Sequence, residues 1–372
     1  MENKRCIFHI PNHIDLTSKS GSSVRPQKMI QAFREIGYDV DCVMGYGSER
    51  KAAIRTIKQN IRNGVQYDFM YSESSTMPTL LTEKNHLPLY PTLDFGFMKF
   101  CKKHGIKIGL FYRDIQWKFD VYTKAVSKQK QWISLPMYRY DLNCYTKLLD
   151  KFYLPSLTLK RYLSEYQALL ERADVLPPGC NEVNLSSNPS VQTDFSLPLR
   201  IFYVGGISGI YDLEMFLRAV SSIPQVEVVL CCREAEWKQE SHRYQTYMTS
   251  RVKVVHASGD QLTQYYEWAD ICCVFAGKGE YMSIAMPIKL FEYIGYEKPM
   301  IGTAGTASGE FITEHNIGWC VNYDENDLKR CIDGILNDPT QIEAKKEKIR
   351  QIKSHHKWTS RAQKVAYDLT NI

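Results

Sequence analysis

The sequence predicts an α/β protein built as two doubly wound, Rossmann-like parallel-sheet domains facing each other across a cleft. Three observations carry this. Short apolar runs alternate with helical patterns along the chain, as βαβ units require. The alternation pauses across a Ser-, Asn- and Pro-rich stretch between Asn184 and Pro198 and then restarts. At 372 residues, 44% apolar and 24% charged, the chain can bury two cores of ordinary size.

In the first half the expected strands are Arg5–Ile10, Asp39–Met44, Phe69–Ser72, Lys107–Tyr112, Lys151–Leu154 and Ala173–Leu176. Between the first two, Met29, Ile30, Phe33 and Ile36 fall at helical spacing within Pro26–Ile36, and Gly37 stops that helix. In the second half strands are expected at Arg200–Val204, Val226–Cys232, Val252–His256, Ile271–Phe275, Pro299–Gly302 and Gly318–Val321. Helices are expected at Leu213–Val220, Gln261–Trp268, Ile288–Tyr296 and Glu325–Leu336, with a charged helical tail from Thr340. These runs place an N-terminal domain at 1–185, a linker at 186–198, a C-terminal domain at 199–355 and a closing helix at 356–372.

Eleven cysteines do not form a disulfide framework on this reading. Cys231–Cys232 and Cys272–Cys273 lie inside apolar strand runs, no C-x-x-C occurs, and reduced cysteines acting as small hydrophobes are expected. No stretch is apolar enough to span a membrane, and the polar start gives no signal peptide, so the cytoplasm is the expected compartment. Charge is uneven. Residues 1–196 hold 27 Lys and Arg against 19 Asp and Glu, whereas 197–372 hold 20 against 22. The excess gathers in 99–160, interleaved with Phe111, Tyr112, Trp117, Phe119, Tyr122, Trp132, Tyr138 and Tyr140. This stretch is either a surface for an anionic membrane or a helix pair whose aromatics face inward; nucleic acid is not expected as a partner.

The segment Met286 to Ile301 carries the most chemistry. Pro287 suits a first helical position, which puts Ile288 and Lys289 in the first turn beside exposed backbone N–H groups. A cation there is unfavourable unless an anion binds between them, and a nucleotide diphosphate is such an anion. Glu292, at i+3 from Lys289, projects from the same face and can accept from ribose hydroxyls.

Pro287-Ile-Lys289-Leu-Phe-Glu292-Tyr, followed by Gly295-Tyr-Glu-Lys-Pro-Met-Ile301, resembles the donor-site motif of the family-4-like GT-B glycosyltransferases. Ile201-Phe-Tyr-Val-Gly205-Gly206 looks like the opening strand and glycine turn of that family's donor domain. Val252 to Ala276, His315 to Trp319 and Asn337 to Pro339 match its later segments, and Gly21 to Arg25 with Gly37 to Val40 its acceptor domain's first unit. The resemblance implies donor contacts from Gly205, Gly206, Arg233, Ser258, Pro287, Ile288, Lys289 and Glu292, and a C-terminal helix crossing back onto the N-terminal domain. The sequence departs from the family's retaining members at Ile284, where their Glu-x7-Glu pattern has its first acid, and Gly206 to Leu213 lacks their Arg and Lys. The anomeric outcome therefore stays open.

On the acceptor side, Phe111-Tyr-Arg-Asp-Ile-Gln-Trp117 ends a strand and resembles the acceptor segment of inverting GT-B enzymes of exopolysaccharide synthesis. Asp114 is the expected base, or a helix cap; Arg113 and Trp117 are expected to hold an acceptor phosphate and sugar ring. Glu73 is the second choice of base, and Ser22 and Arg25 complete the expected acceptor contacts. The expected activity moves a hexose-type sugar from a nucleotide diphosphate sugar, UDP favoured and GDP possible, without a metal. The acceptor is a glycan or lipid-linked molecule of cell-surface polysaccharide synthesis, met at the inner membrane face. The alternatives are a GT-B nucleotide-sugar epimerase and a catalytically silent nucleotide-sugar-binding module.

Overall fold

The structure, a computed structural model, describes residues 4–15, 21–183, 197–277 and 279–371, with backbone alone for 21 and 22. Most of the expected linker therefore lies outside the described residues. Contacts gather into two compact units, Met1–Pro178 with Trp358–Ile372, and Gly179–Lys357.

The first unit runs β1 (Arg5–His9), α1 (Gly21–Glu35), β2 (Asp39–Val43), α2 (Gly47–Arg62), β3 (Phe69–Glu73), α3 (Leu93–Lys103), β4 (Lys107–Phe111), α4 (Asp120–Ala125), α5 (Lys128–Leu148), β5 (Lys151–Leu154), α6 (Gln167–Leu170) and β6 (Ala173–Val175). Its strands lie parallel in the order β2-β1-β3-β4-β5-β6, so the order reverses between β1 and β3. One face is covered by α1 and by the C-terminal helix (Trp358–Thr370), whose Trp358, Ala362, Val365 and Leu369 join Phe8, Phe33 and Tyr71 in one core. Gly109 on β4 makes room for that helix, because a side chain there would come within 2.9 Å of Leu369 Cδ1. Helix α1 begins at Gly21, five residues before the expected Pro26, which sits inside it.

The second unit runs β7 (Leu199–Val204), α7 (Glu214–Ser221), β8 (Val226–Cys231), α8 (Glu234–Tyr244), β9 (Val252–Val255), α9 (Thr263–Trp268), β10 (Ile271–Val274), α10 (Ile288–Gly295), β11 (Met300–Thr303), α11 (Ala307–His315), β12 (Gly318–Val321), α12 (Glu325–Asn337) and α13 (Thr340–Lys353). All pairs are parallel, in the order β12-β11-β10-β7-β8-β9, and the order reverses between β7 and β10. Alternate residues enter opposite cores, as a strand buried on both faces demands. Ile201 and Tyr203 pack with Phe216 and Leu328; Phe202 packs with Leu290 and Phe291. The same alternation sends Cys272 to one core and Cys273 to the other, and all eleven cysteines are free.

The predicted α/β class of two doubly wound sheets is what the chain adopts.

Candidate functional site

The expected donor residues stand at the carboxyl ends of adjacent strands of the second unit. Gly205 and Gly206 follow β7, Arg233 follows β8, Ser258 follows β9, and the β10–α10 connection brings Pro287, Ile288 and Lys289. Strands β7 and β10 flank the point where strand order reverses, and open α/β sheets take ligands there.

Pro287 is the N-cap of α10 and not its first helical residue, so the helix starts at Ile288 with Lys289 second. The Lys289 ammonium lies 3.9 Å from the centre of the Tyr203 ring and 5.1 Å from that of Tyr211. It makes no ion pair among the described residues. Desolvation lowers its pKa to about 8, against the upward pull of Cys273, Glu292 and Glu236. Gly205, at φ +142°, leaves the space it occupies: a Cβ there would meet Lys289 Nζ at 3.0 Å. Glu292 is half-buried one turn on, and its Oε2 accepts from the Tyr266 hydroxyl at 3.3 Å. The Tyr266 ring in turn stacks on Tyr296 at 4.0 Å.

Arg233, the residue preceding α8, is exposed, and its side chain makes no cap hydrogen bond to the helix. Ser258 is exposed ahead of the short turn Gly259–Leu262, and its N–H donates to Gln261 Oε1 at 3.3 Å. Ile284 is buried where an acid would stand in the Glu-x7-Glu pattern.

One residue of this site escaped sequence reasoning. Glu236, in the first turn of α8, accepts through Oε1 from Ile207 N–H at 2.9 Å and from the Ser208 hydroxyl at 2.8 Å. Nothing in a lone acid after β8 signals this, because its partners lie 28 and 29 residues away.

In the first unit three expected acceptor residues come together, but in a different role. Glu73, the last residue of β3, is fully buried. Its Oε1 accepts from Arg25 Nε at 3.2 Å and from the Tyr71 hydroxyl at 3.0 Å; its Oε2 accepts from Arg113 at 3.0 Å. Two guanidinium groups clamp one carboxylate, so Glu73 is a buried counter-ion out of reach of an acceptor hydroxyl, not a reserve base. Arg113 is further fastened to Ser74, donating from its main-chain N–H to Oγ at 3.0 Å and from Nε to the carbonyl at 3.1 Å. Arg25 lies over the Phe111 ring at 3.4 Å and donates to the Leu176 carbonyl.

Trp117 also departs from expectation. It is buried, stacked on Tyr138 at 5.1 Å with its Nε1–H on the Tyr112 hydroxyl, so its faces are core and not a sugar platform. Asp114 is half-exposed after β4, where its Oδ1 accepts from Gln116 N–H at 2.9 Å, at the start of the turn Gln116–Lys118. Ser22 lies in the first turn of α1, and its side chain is outside the described residues. Beside Glu73, the sequence also gave no sign of a buried chain at the β1/β3 reversal: His9 hydrogen-bonds Ser72 at 2.8 Å and Asp94 at 2.9 Å. Burial raises the Asp94 pKa, but His9 and Arg50 outweigh it and hold the group below its ordinary value.

With this geometry in place, the comparisons with known proteins are decisive for the second unit. A sequence profile described as "Glycosyl transferases group 1" matches residues 198–338. The second unit is thus similar in sequence to the group 1 glycosyl transferases. No curated protein matches the chain in sequence. Solved structures do match over nearly its full length. Sucrose-phosphate synthase from Thermosynechococcus elongatus is 16% identical with a TM-score of 0.63, covering 98% of both chains. Anabaena Alr3699/HepE in complex with UDP-glucose is 12% identical with a TM-score of 0.65, covering 99% of this chain and 100% of its own. WaaG, a glycosyltransferase involved in lipopolysaccharide biosynthesis, is 15% identical with a TM-score of 0.61, covering 98% and 100%. At such identities these likenesses establish the GT-B fold, and the matched profile makes the protein a glycosyltransferase. Among the described residues of this transferase no helix is long and apolar enough to cross a membrane.

Proposed function

We propose that the transferase moves a hexose-type sugar, without a metal, from a UDP-sugar to a glycan or lipid-linked acceptor in cell-surface polysaccharide synthesis. The observation that carries the donor half is Lys289: an ammonium without an ion pair among the described residues, in the first turn of a helix, beside a glycine turn at the strand-order reversal. A diphosphate supplies the missing anion and accepts from N–H groups at the start of α10. Glu292 then meets the ribose hydroxyls. UDP is favoured over GDP because two structures of this fold hold uridine nucleotide sugars: HepE in complex with UDP-glucose, and an E. coli structure bound with UDP-2-fluoro glucose. WaaG's part in lipopolysaccharide synthesis supports the choice of pathway class.

On the first unit Asp114 is the acceptor-side base in this reading. It is the half-exposed carboxylate at the end of β4, whereas Glu73 is consumed by its arginines. A base removes the acceptor hydroxyl proton as that oxygen attacks the anomeric carbon and UDP leaves.

One panel of variants tests both halves. Lys289→Ala should weaken UDP binding by roughly 1.5–3 kcal/mol, the worth of a hydrogen bond to a charged group. Glu292→Gln should weaken it too. Asp114→Asn should leave UDP affinity intact while transfer falls by ~10²–10⁴. The sign of the pH dependence follows from Lys289, which is charged below its pKa of about 8. Raising the pH through that value should loosen UDP in the parent and not in Lys289→Ala. Unchanged calorimetric titrations for Lys289→Ala and Glu292→Gln would refute the donor site, and normal turnover by Asp114→Asn would refute the base.

A further inference from the structure

The turn that follows β7 has its hydrogen-bonding groups already spoken for. The carbonyls of Gly206 and Ile207 accept from the hydroxyls of Tyr203 and Tyr244. The Ile207 N–H and the Ser208 hydroxyl both end on Glu236 Oε1, at 2.9 and 2.8 Å. Glu236 Oε2 is buried and has no hydrogen-bond partner among the described residues. Two adjacent glycines separate opposite charges here. A Cβ at 205 would lie 3.0 Å from Lys289 Nζ, and one at 206 would lie 3.3 Å from Glu236 Oε1. Lys289 feels the Glu236 charge without pairing with it.

A backbone N–H, a hydroxyl and a nearby ammonium gathered at a glycine turn are the fittings of an anion site, and one carboxylate oxygen uses both neutral donors. We propose that Glu236 is an affinity-setting residue of the donor site, filling the anion position of the glycine turn in the free protein and leaving it when the nucleotide's diphosphate enters. The inference rests on the donor-site reading above. Two like charges do not share one set of donors at close range, and bonds to a charged acceptor are about twice as strong as neutral ones. Glu236 has somewhere to go: Arg233, Glu234 and Ala235 beside it are exposed, so a rotamer change carries its carboxylate toward water. Binding is then an exchange of one anion for another. The free protein is mostly in the occupied state, and apparent affinity falls by the fraction that is open.

The test is calorimetric titration of the full chain with UDP, together with uridine measured by ligand-observed NMR. Glu236→Gln keeps an acceptor for both donors and removes the charge; Glu236→Ala frees the donors. Both should bind UDP about ten-fold more tightly than the parent, while uridine, lacking the diphosphate, binds all three alike. Equal or weaker UDP binding by both variants overturns the proposal, since Glu236 would then be holding the turn in its working shape. A uridine change that parallels the UDP change overturns it as well. Melting curves identify a variant that fails to fold, and Glu236→Gln alone then decides the outcome. Failure of the donor-site reading looks different: Lys289→Ala would leave UDP binding at the parent value.

Discussion

Asp141 shows how much one carboxyl can weigh when its surroundings are mostly aromatic. It is buried on α5, with Oδ2 accepting from Thr79 N–H at 2.7 Å and Oδ1 without a partner among the described residues. Burial raises its pKa to about 7; the Thr79 bonds oppose this and the charge of Asp94 adds to it. The folded state therefore binds this proton more tightly than the unfolded state between pH 3.8 and 7. Stability falls as pH rises through that window, and the cost is complete above it. Asp141→Asn should raise stability by about 1–3 kcal/mol at pH 8, after the cost of an unpaired amide, and by much less at pH 5. Equal shifts in melting temperature at the two pH values would contradict this. Residues of this kind also mark where the sequence stops being readable. The shared helical face of Lys289 and Glu292 was visible because both lie within one contiguous turn of α10. The surroundings of Glu73 were not legible because they are remote: Arg25 lies 48 positions before it, and Arg113 lies 40 after it.

Among elements, the strands were the most legible, because a parallel strand buried on both faces must be an unbroken apolar run. Each expected strand is present, with ends shifted by a residue or so. Helices carried less information. Ser134, Tyr138, Asp141, Leu142 and Tyr145 make the inward face of α5, and a buried Asp in that stripe obscures its periodicity. The structure divides the aromatics of the basic stretch. Tyr112, Trp117, Phe119, Tyr122 and Tyr138 are buried, whereas Trp132 is 81% exposed and Ile133 47%. Lys124, Lys128 and Lys130 are exposed around that tip. We propose that this end of α5 rests on an anionic bilayer, Trp132 at the headgroup level and each lysine adding about 1 kcal/mol. Cosedimentation with anionic vesicles should fall when the three lysines are neutralised and when Trp132→Ala is made. Only the lysine share should fade at 1 M salt, where screening shortens to ~3 Å. Equal, negligible pelleting with anionic and neutral vesicles would dismiss the idea.

At the scale of the whole molecule, both halves use one architectural recipe, a doubly wound parallel sheet, yet only the second is continuous in sequence. The first is finished by residues that follow the second unit in sequence. Trp358, Ala362, Val365 and Leu369 enter a core to which β1, α1, β3, β4 and β5 also contribute, and Arg361 donates to the carbonyls of Pro177 and Pro178. A chain stopped after Lys357 should therefore leave part of one face of the first unit's sheet, beside α1, uncovered. Its melting should split, with a low-temperature transition for that unit and the second unit little changed; a single unshifted transition would show the helix to be dispensable. The same arrangement imposes a timetable during synthesis. When Pro178 emerges from the ribosome, the first unit still lacks the helix that closes its core, and the whole second unit must be made before that helix appears. At ~5–20 residues per second that is a delay of roughly ten to forty seconds. The nascent protein must keep an open apolar sheet face from other chains throughout, so an element made after the second unit decides when the first becomes safe from aggregation.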